Sequence, residues 1–222
     1  MCYLKQTSKG TETDSAWLTG SLGILDERAS RYAALSALVR YPDSTPVRAI
    51  IVAARMCDSD LRDAGNRALA WAHNVSDSCS LAVEHMRLFG GFGVPGATGD
   101  LINVLGDMSW QHSAIGRMSE VYRRLGYWTE DVDSLTLCPG HAANALAFMS
   151  HCLLLGDLGI SEAADVATEF FERYLMDWMP LFGDVLLLES AHPVTTLTGC
   201  AVSAFARAET LELVRGSAHS AP

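Results

Sequence analysis

Apolar residues recur every three or four positions along nearly the whole chain, which is the spacing that gives an α-helix one buried face. No run of alternating apolar and polar residues is bounded by hairpin turns, so no strand is expected. The pattern therefore predicts an all-α fold. Helices are expected near residues 25–40, from 44 or 45 onward, 58–73, 79–89, 112–125, 140–155, from 161 onward and 192–214.

Three residues are expected to set helix ends. Ser161 is a favourable N-cap because its hydroxyl can accept a hydrogen bond from a backbone amide in the first turn. Pro180 lacks an amide proton and is expected to break or kink the helix that carries it. Pro193 suits the start of the last helix, which is expected to end near Val214.

The chain has enough apolar material for one core. Of its 222 residues, 49% are hydrophobic and 19% are charged, which excludes a disordered tail or linker. We therefore expect a single multi-helix bundle over residues 1–222, with flexible ends at 1–20 and 216–222. The strongly apolar segment 140–155 is expected to be its central, buried helix.

Two loops are expected to separate groups of helices. Five glycines and Pro95 fall within residues 90–99, where a continued helix is unfavourable. Residues 91–96 spell GxGxxG, but a helical pattern precedes them where a nucleotide site needs a strand, so a hinge between helices is favoured. The second loop, 126–137, is an acidic hinge with Glu130, Asp131 and Asp133.

Charge and hydropathy exclude several classes of partner. The 26 acidic and 16 basic side chains give a net charge of −10 at pH 7, and no Lys/Arg-rich run could neutralise a phosphate backbone. A nucleic-acid partner is therefore not expected. No segment approaches the roughly 20 apolar residues that span a bilayer, and residues 1–20 do not read as a signal peptide. We expect a cytoplasmic protein that does not span a membrane.

No motif predicts a metal, a cofactor or catalysis. The six cysteines form no CxxC pair, and the seven histidines form no HExxH. Neither GxxxxGK[ST] nor a GxSxG nucleophile elbow is present. We therefore expect a binding protein that is not an enzyme, with reduced thiols and no cofactor or metal.

One region carries a specific resemblance. The segment EVYRRLG at 120–126 is followed by the acidic linker, then by CPGH at 138–141 and LAFM at 146–149. This order resembles the signature region of the TorD/DmsD/NarJ family of redox-enzyme maturation chaperones. In that family a Tyr-containing helix and a short linker precede Pro-Asp-His, a Glu four residues after the His, and a Phe-Met pair. Two further stretches are similar to the family: Arg87–Phe89 and the Trp-x-Pro within 170–181.

The resemblance implies a function without turnover. It implies an all-helical cytoplasmic chaperone that binds the twin-arginine signal peptide, or another segment, of a molybdopterin oxidoreductase subunit. Such a chaperone holds the subunit until its cofactor is inserted, before export. Its helix order covers roughly residues 25–213, whereas the specific motif is about thirty residues long.

The same resemblance selects the candidate partner-binding residues. Pro139 and His141 open the apolar helix that carries Phe148, and Tyr122 and Trp128 both precede the acidic residues of the second loop. His141 suits either a helix cap or a contact with a peptide, and Tyr122 and Trp128 offer apolar surface.

This chain departs from the family pattern at two positions. Gly140 stands in place of the family's Asp, and Ala145 stands in place of its Glu. These replacements suggest an altered specificity, or a shift from the signal peptide toward the body of the client enzyme.

Two other functions stay open. One is a helical adaptor or homodimer without a client, in which Trp128 and its neighbours pack against another subunit. The other is a nucleotide-binding enzyme that uses the glycine-rich loop.

Overall fold

The computed structural model describes residues 26–42, 44–57, 62–74, 79–89, 108–127 and 139–219. Within these ranges the regular elements are helices and no strand is formed, so the predicted all-α, multi-helix fold is confirmed. The helices are α1 (Glu27–Val39), α2 (Val47–Met56), α3 (Arg62–His73), α4 (Cys79–Phe89), α5 (Met108–Arg124), α6 (Ala142–Asp157), α7 (Ser161–Phe170), a π-helical segment (Phe171–Leu175), α8 (Trp178–Glu189) and α9 (Pro193–His219).

The expected cap at Ser161 is wrong. Gly159 adopts φ +88°, and the amide of Ile160 donates to the carbonyl of Leu155 at 3.0 Å. This tight turn makes Ile160 the N-cap of α7 and Ser161 its first residue, without a capping hydrogen bond from a side chain. A positive φ suits glycine because it has no Cβ, so Gly159 determines where the new helix begins.

The break expected from Pro180 is observed, on the N-terminal side of the proline: Pro180 cannot donate to the carbonyl of Met176, four residues earlier, and Met176 lies in the turn between the two helices. The helix is interrupted earlier, by the π-helical segment and the turn that follows it, and Pro180 is the third residue of α8. A proline fits in a first turn because its missing amide would have no partner there.

The last helix is longer than the sequence indicates. It continues past Val214 through Gly216 to His219, so the expected frayed tail begins too early. One glycine costs only about 1 kcal/mol in a helix, which is too little to stop it reliably.

Helix α6 is buried over most of its first ten residues, as its apolar sequence predicts, whereas residues 153–157 are partly or fully exposed. It packs against α1 on one side and α7 on another, while α8 and α9 pair with each other. Helix α9 also contacts α1, α2, α3 and α4. Buried side chains of α6 face several directions, and the polar Asn144 and Ser150 are buried among them. A helix that is apolar on most of its surface is stable only in such a buried position.

Two glycines allow α8 and α9 to approach closely. A Cβ at Gly183 would lie 3.0 Å from the carbonyl oxygen of Gly199 and would overlap the hydroxyl of Ser203. A Cβ at Gly199 would lie 2.9 Å from the carbonyl oxygen of Gly183. The crossing of these helices therefore depends on the absence of side chains at both positions.

A buried carboxylate joins the first and last helices. Glu209 of α9 is 2% exposed, and Arg28 of α1 donates to both of its oxygens at 2.7–3.0 Å. The hydroxyl of Tyr32 donates to the same carboxylate at 2.6 Å. Burial and the adjacent carboxylate raise the pKa of Tyr32 well above its usual value, so the hydroxyl stays protonated as a donor.

We expect Arg28→Met to lower the free energy of unfolding by about 3 kcal/mol, because it leaves a buried carboxylate without its cation. Urea denaturation measures the change. Arg31→Met is the matched control, because its pair with Glu27 lies on the surface of the same helix. Its loss should lower the free energy of unfolding by less than about 1 kcal/mol. Equal losses in both variants would contradict the importance of burial.

Gly183→Ala should lower the free energy of unfolding by about 1–3 kcal/mol, because the added methyl group forces α8 and α9 apart. Gly116→Ala is the control, since a Cβ at this exposed position of α5 meets nothing within 4 Å. That change should raise stability by about 0.5–1 kcal/mol through helix propensity. Thermal denaturation distinguishes them, and a loss of similar size in the control would rule out the packing explanation.

Candidate partner-binding site

The residues of the sequence motif meet where α5 ends and α6 begins. The hydroxyl of Tyr122 donates to the carbonyl of Pro139 at 2.9 Å. Nδ1 of His141 accepts a hydrogen bond from the amide of Ala143 at 3.1 Å, so His141 is the N-cap of α6. These contacts fix the short segment 139–141 against the core.

Tyr122 and Phe148 lie inside an aromatic cluster. Their ring centroids are 4.6 Å apart, and Tyr122 also contacts Tyr127 at 5.3 Å and Phe170 at 5.8 Å. Tyr122 is 2% exposed and Phe148 is fully buried, so in this structure they are core residues on which the segment 139–141 packs. Their direct contact with a partner stays a prediction.

His141 and Pro139 are the members of the predicted set that remain partly exposed. Burial, together with nearby His85 and Arg40, lowers the pKa of His141 to about 4. The imidazole is therefore neutral at neutral pH, as it must be for Nδ1 to accept the capping hydrogen bond. The capping role of His141 is thus observed, whereas its contact with a peptide stays a prediction.

Trp128 lies outside the described residues. The same is true of Cys138, of the acidic side chains at 130, 131 and 133, and of the glycine-rich loop at 90–99. Their predicted roles therefore stay predictions.

Arg87, from the stretch Arg87–Phe89, forms an ion pair with a buried carboxylate that the sequence did not reveal. Arg87 donates to both oxygens of buried Glu84, at 2.7 and 3.0 Å, and also to the carbonyl of Glu189. The amide of Ala191 donates to Glu84 at 2.6 Å. Although burial acts to raise the pKa of Glu84, these hydrogen bonds outweigh it and lower that pKa. The carboxylate thereby ties α4 to the turn between α8 and α9.

His192 repeats the arrangement of His141 at the start of α9. Its Nδ1 accepts from the amide of Val194 at 3.2 Å, while its Nε2 lies 3.3 Å from the hydroxyl of Ser80. The two histidines thus provide a matched pair of helix caps, one inside the motif and one outside it.

The described residues contain no cluster of three or more His, Cys, Asp or Glu side chains that would suit a metal ion. In the same part of the chain, no helix combines the length and apolar character that crossing a bilayer requires.

The folded protein should lose stability as the pH falls from 6.5 toward about 4, since within this window the unfolded state binds a proton that His141 in the folded state does not. The loss attributable to this group is about 2–3 kcal/mol. His141→Asn keeps an acceptor at the cap but removes the titration, so its stability should depend less on pH.

Urea denaturation at several pH values measures the difference between the two proteins. Burial also lowers the pKa of His85, but that effect is present in both proteins and cancels in the comparison. Identical pH dependence in the parent and His141→Asn would show that His141 is not the responsible group.

No protein-family model matches this sequence, and no curated protein matches it.

Proposed function

We propose that this protein is a cytoplasmic chaperone of the TorD/DmsD/NarJ type. It binds the signal peptide or the body of a molybdopterin oxidoreductase subunit, its client, and assists cofactor insertion before the client is exported. It acts by binding and release, without catalysing a reaction.

The observation that carries this proposal is the fixed position of the segment 139–141. The hydrogen bond from Tyr122 and the cap formed by His141 hold the segment at the end of the acidic linker. A binding segment that is already ordered loses little conformational entropy when a partner arrives. His141 and Pro139, both partly exposed as residues, are the part of this segment that a peptide would contact.

The negative net charge of the protein also favours binding of a client segment that carries positive charge. A protein with a charge of −10 attracts an arginine pair at long range, and carboxylates bind guanidinium groups strongly at short range. The acidic loop precedes the segment 139–141 directly in the chain.

The two departures from the family pattern fall near the start of α6. Gly140 and Ala145 are both buried, and Ala145 faces the core. A carboxylate at Ala145 would need a buried partner, so its absence here keeps the start of α6 apolar. The two replacements therefore act through the packing beneath the segment 139–141, and the proposal covers both the signal peptide and the body of the client.

Capture of the tagged protein from its native host, at low salt and under reducing conditions, should recover a molybdopterin oxidoreductase subunit identified by mass spectrometry. His141→Ala should reduce this recovery. His192→Ala is the matched control because it removes a cap of the same geometry from α9. His192 is buried and also contacts Ser80 and Trp71, so His192→Ala should cost at least as much stability as His141→Ala, and a general loss of stability would reduce recovery by both variants.

The proposal fails if wild-type protein recovers no such oxidoreductase, or if both variants retain it equally. A signal-peptide fragment tested beside the mature client distinguishes the two binding modes.

Exposed apolar side chains favour a homodimeric adaptor as the second candidate. Val83 and Met86 project from α4, and Leu188 of α8 is 82% exposed. Sedimentation velocity over a range of concentrations tests this: a dimer without a client would replace the chaperone proposal, whereas a monomer would exclude it.

A further inference from the structure

A cleft of about 200 Å³ opens between α5 and the helix formed by α7 and the π-helical segment. Three arginines line it, Arg117 and Arg124 from α5 and Arg173 from the π-helical segment, and they outnumber the two lining carboxylates, Glu120 and Glu169. Phe170 and Tyr174, which are only 2% and 5% exposed, form the floor of the cleft together with Val121 and Val166. The cleft therefore combines guanidinium donors with aromatic surface, in a protein whose net charge is −10.

Two of the cleft's arginines, Arg124 and Arg173, form exposed ion pairs. Nε of Arg124 donates to Glu162 at 2.7 Å, and Arg173 donates to Glu169 at 3.2 Å. All four of these side chains are more than half exposed. Exposed pairs contribute only about 0–1 kcal/mol, so an incoming anion can replace them at little cost.

The ion pairs of Arg28 and Arg87 differ from those in the cleft because their carboxylates are buried. Arg28 and Arg87 each bind both oxygens of a buried carboxylate, which fixes them to the core. Each guanidinium has five N–H donors, and the pairs of Arg124 and Arg173 engage one apiece. Arg124 and Arg173 can thus form further hydrogen bonds without disturbing the fold.

The π-helical segment forms one wall of this cleft. Arg173 and Tyr174 both belong to it, and the amide of Met176 donates to the carbonyl of Phe171 at 2.9 Å in the wider i to i+5 pattern. Such segments are rare and are found frequently at functional sites, because the extra residue changes the direction of the side chains. Here the irregular turn contributes both an arginine and an aromatic ring to the same cleft.

We infer that this cleft binds a carboxylate that is attached to a small apolar group. Arg124 and Arg173 bind the carboxylate, and Phe170 and Tyr174 contact the apolar part. Pockets for larger ligands measure roughly 300–1,000 Å³, so a volume of about 200 Å³ suits one side chain or one small acid. The inference does not depend on the proposed function, because it concerns the isolated protein.

Phenylacetate is the first probe, and phenylacetamide is its neutral control. Phenylacetate should shift the methyl resonances of Val121 and Val166, which line the cleft, and added salt should weaken its binding. Phenylacetamide should bind much more weakly because it lacks the charge. A second probe, the peptide acetyl-Leu-Phe-Glu-Leu-amide, is compared with the same peptide carrying Gln in place of Glu.

The variant Arg124→Gln/Arg173→Gln should weaken binding of phenylacetate at least about tenfold. Arg67→Gln is the control: it removes an arginine from an exposed pair with Asp63 on α3, and should change the affinity by less than about twofold. The circular dichroism of each variant checks that it is folded.

Binding of phenylacetate alone supports the inference and identifies a free acid as the ligand class. Binding of the Glu peptide, but not of its Gln counterpart, supports it and identifies a peptide side chain. The inference is overturned if neither carboxylate binds, if the neutral controls bind equally well, or if the double variant retains full affinity.

Discussion

The packing of α1 against α9 depends on how the buried negative charge of Glu209 is compensated. Removing the charge of Glu209 from water costs several kcal/mol unless hydrogen bonds and an opposite charge replace the lost hydration. Arg28 and Tyr32 supply both, although they precede it by 181 and 177 residues. Since the two partners lie on α1, only a fold that places α1 against α9 satisfies this carboxylate.

The position of the candidate site follows from that arrangement. Helix α1 packs along α6, and the hydroxyl of Ser36 donates to the carbonyl of Ala143 at 2.7 Å. Ala143 in turn donates its amide to His141. Helix α1 is thus bound to the last helix at one end and to the start of α6 nearer the other. Glu84 acts similarly for α4, which it joins to the turn before α9.

Much of the fold could be predicted because helix formation depends on nearby residues. The extent of α4 to Phe89 and the burial of most of apolar α6 were predicted and are confirmed. The cap of α7 was assigned wrongly because Gly159 adopts a positive φ that moves the start of the helix. The break near Pro180 was predicted and is present, but the π-helical segment before it was not, because nothing in the residue spacing distinguishes a π-helical turn from an α-helical one.

The candidate site was predicted only in part. The motif correctly brought together Tyr122, Pro139 and His141, but spacing along the chain did not show that Tyr122 and Phe148 lie in the core. The buried pairs made by Glu84 and Glu209 were missed. A weak signal existed for Glu209, since it follows Phe205 by four residues and so falls on the apolar face of its helix.

By itself the sequence determined the helical class, the approximate limits of most helices and the acidic character of the protein. These follow from residue periodicity, local propensity and composition, which need no knowledge of distant contacts. Only the tertiary structure decided that Arg28 pairs with Glu209, and that three arginines share a cleft with Phe170. The reason is physical: these groups come together through the packing of helices far apart in the chain, and periodicity within one helix does not specify its neighbour.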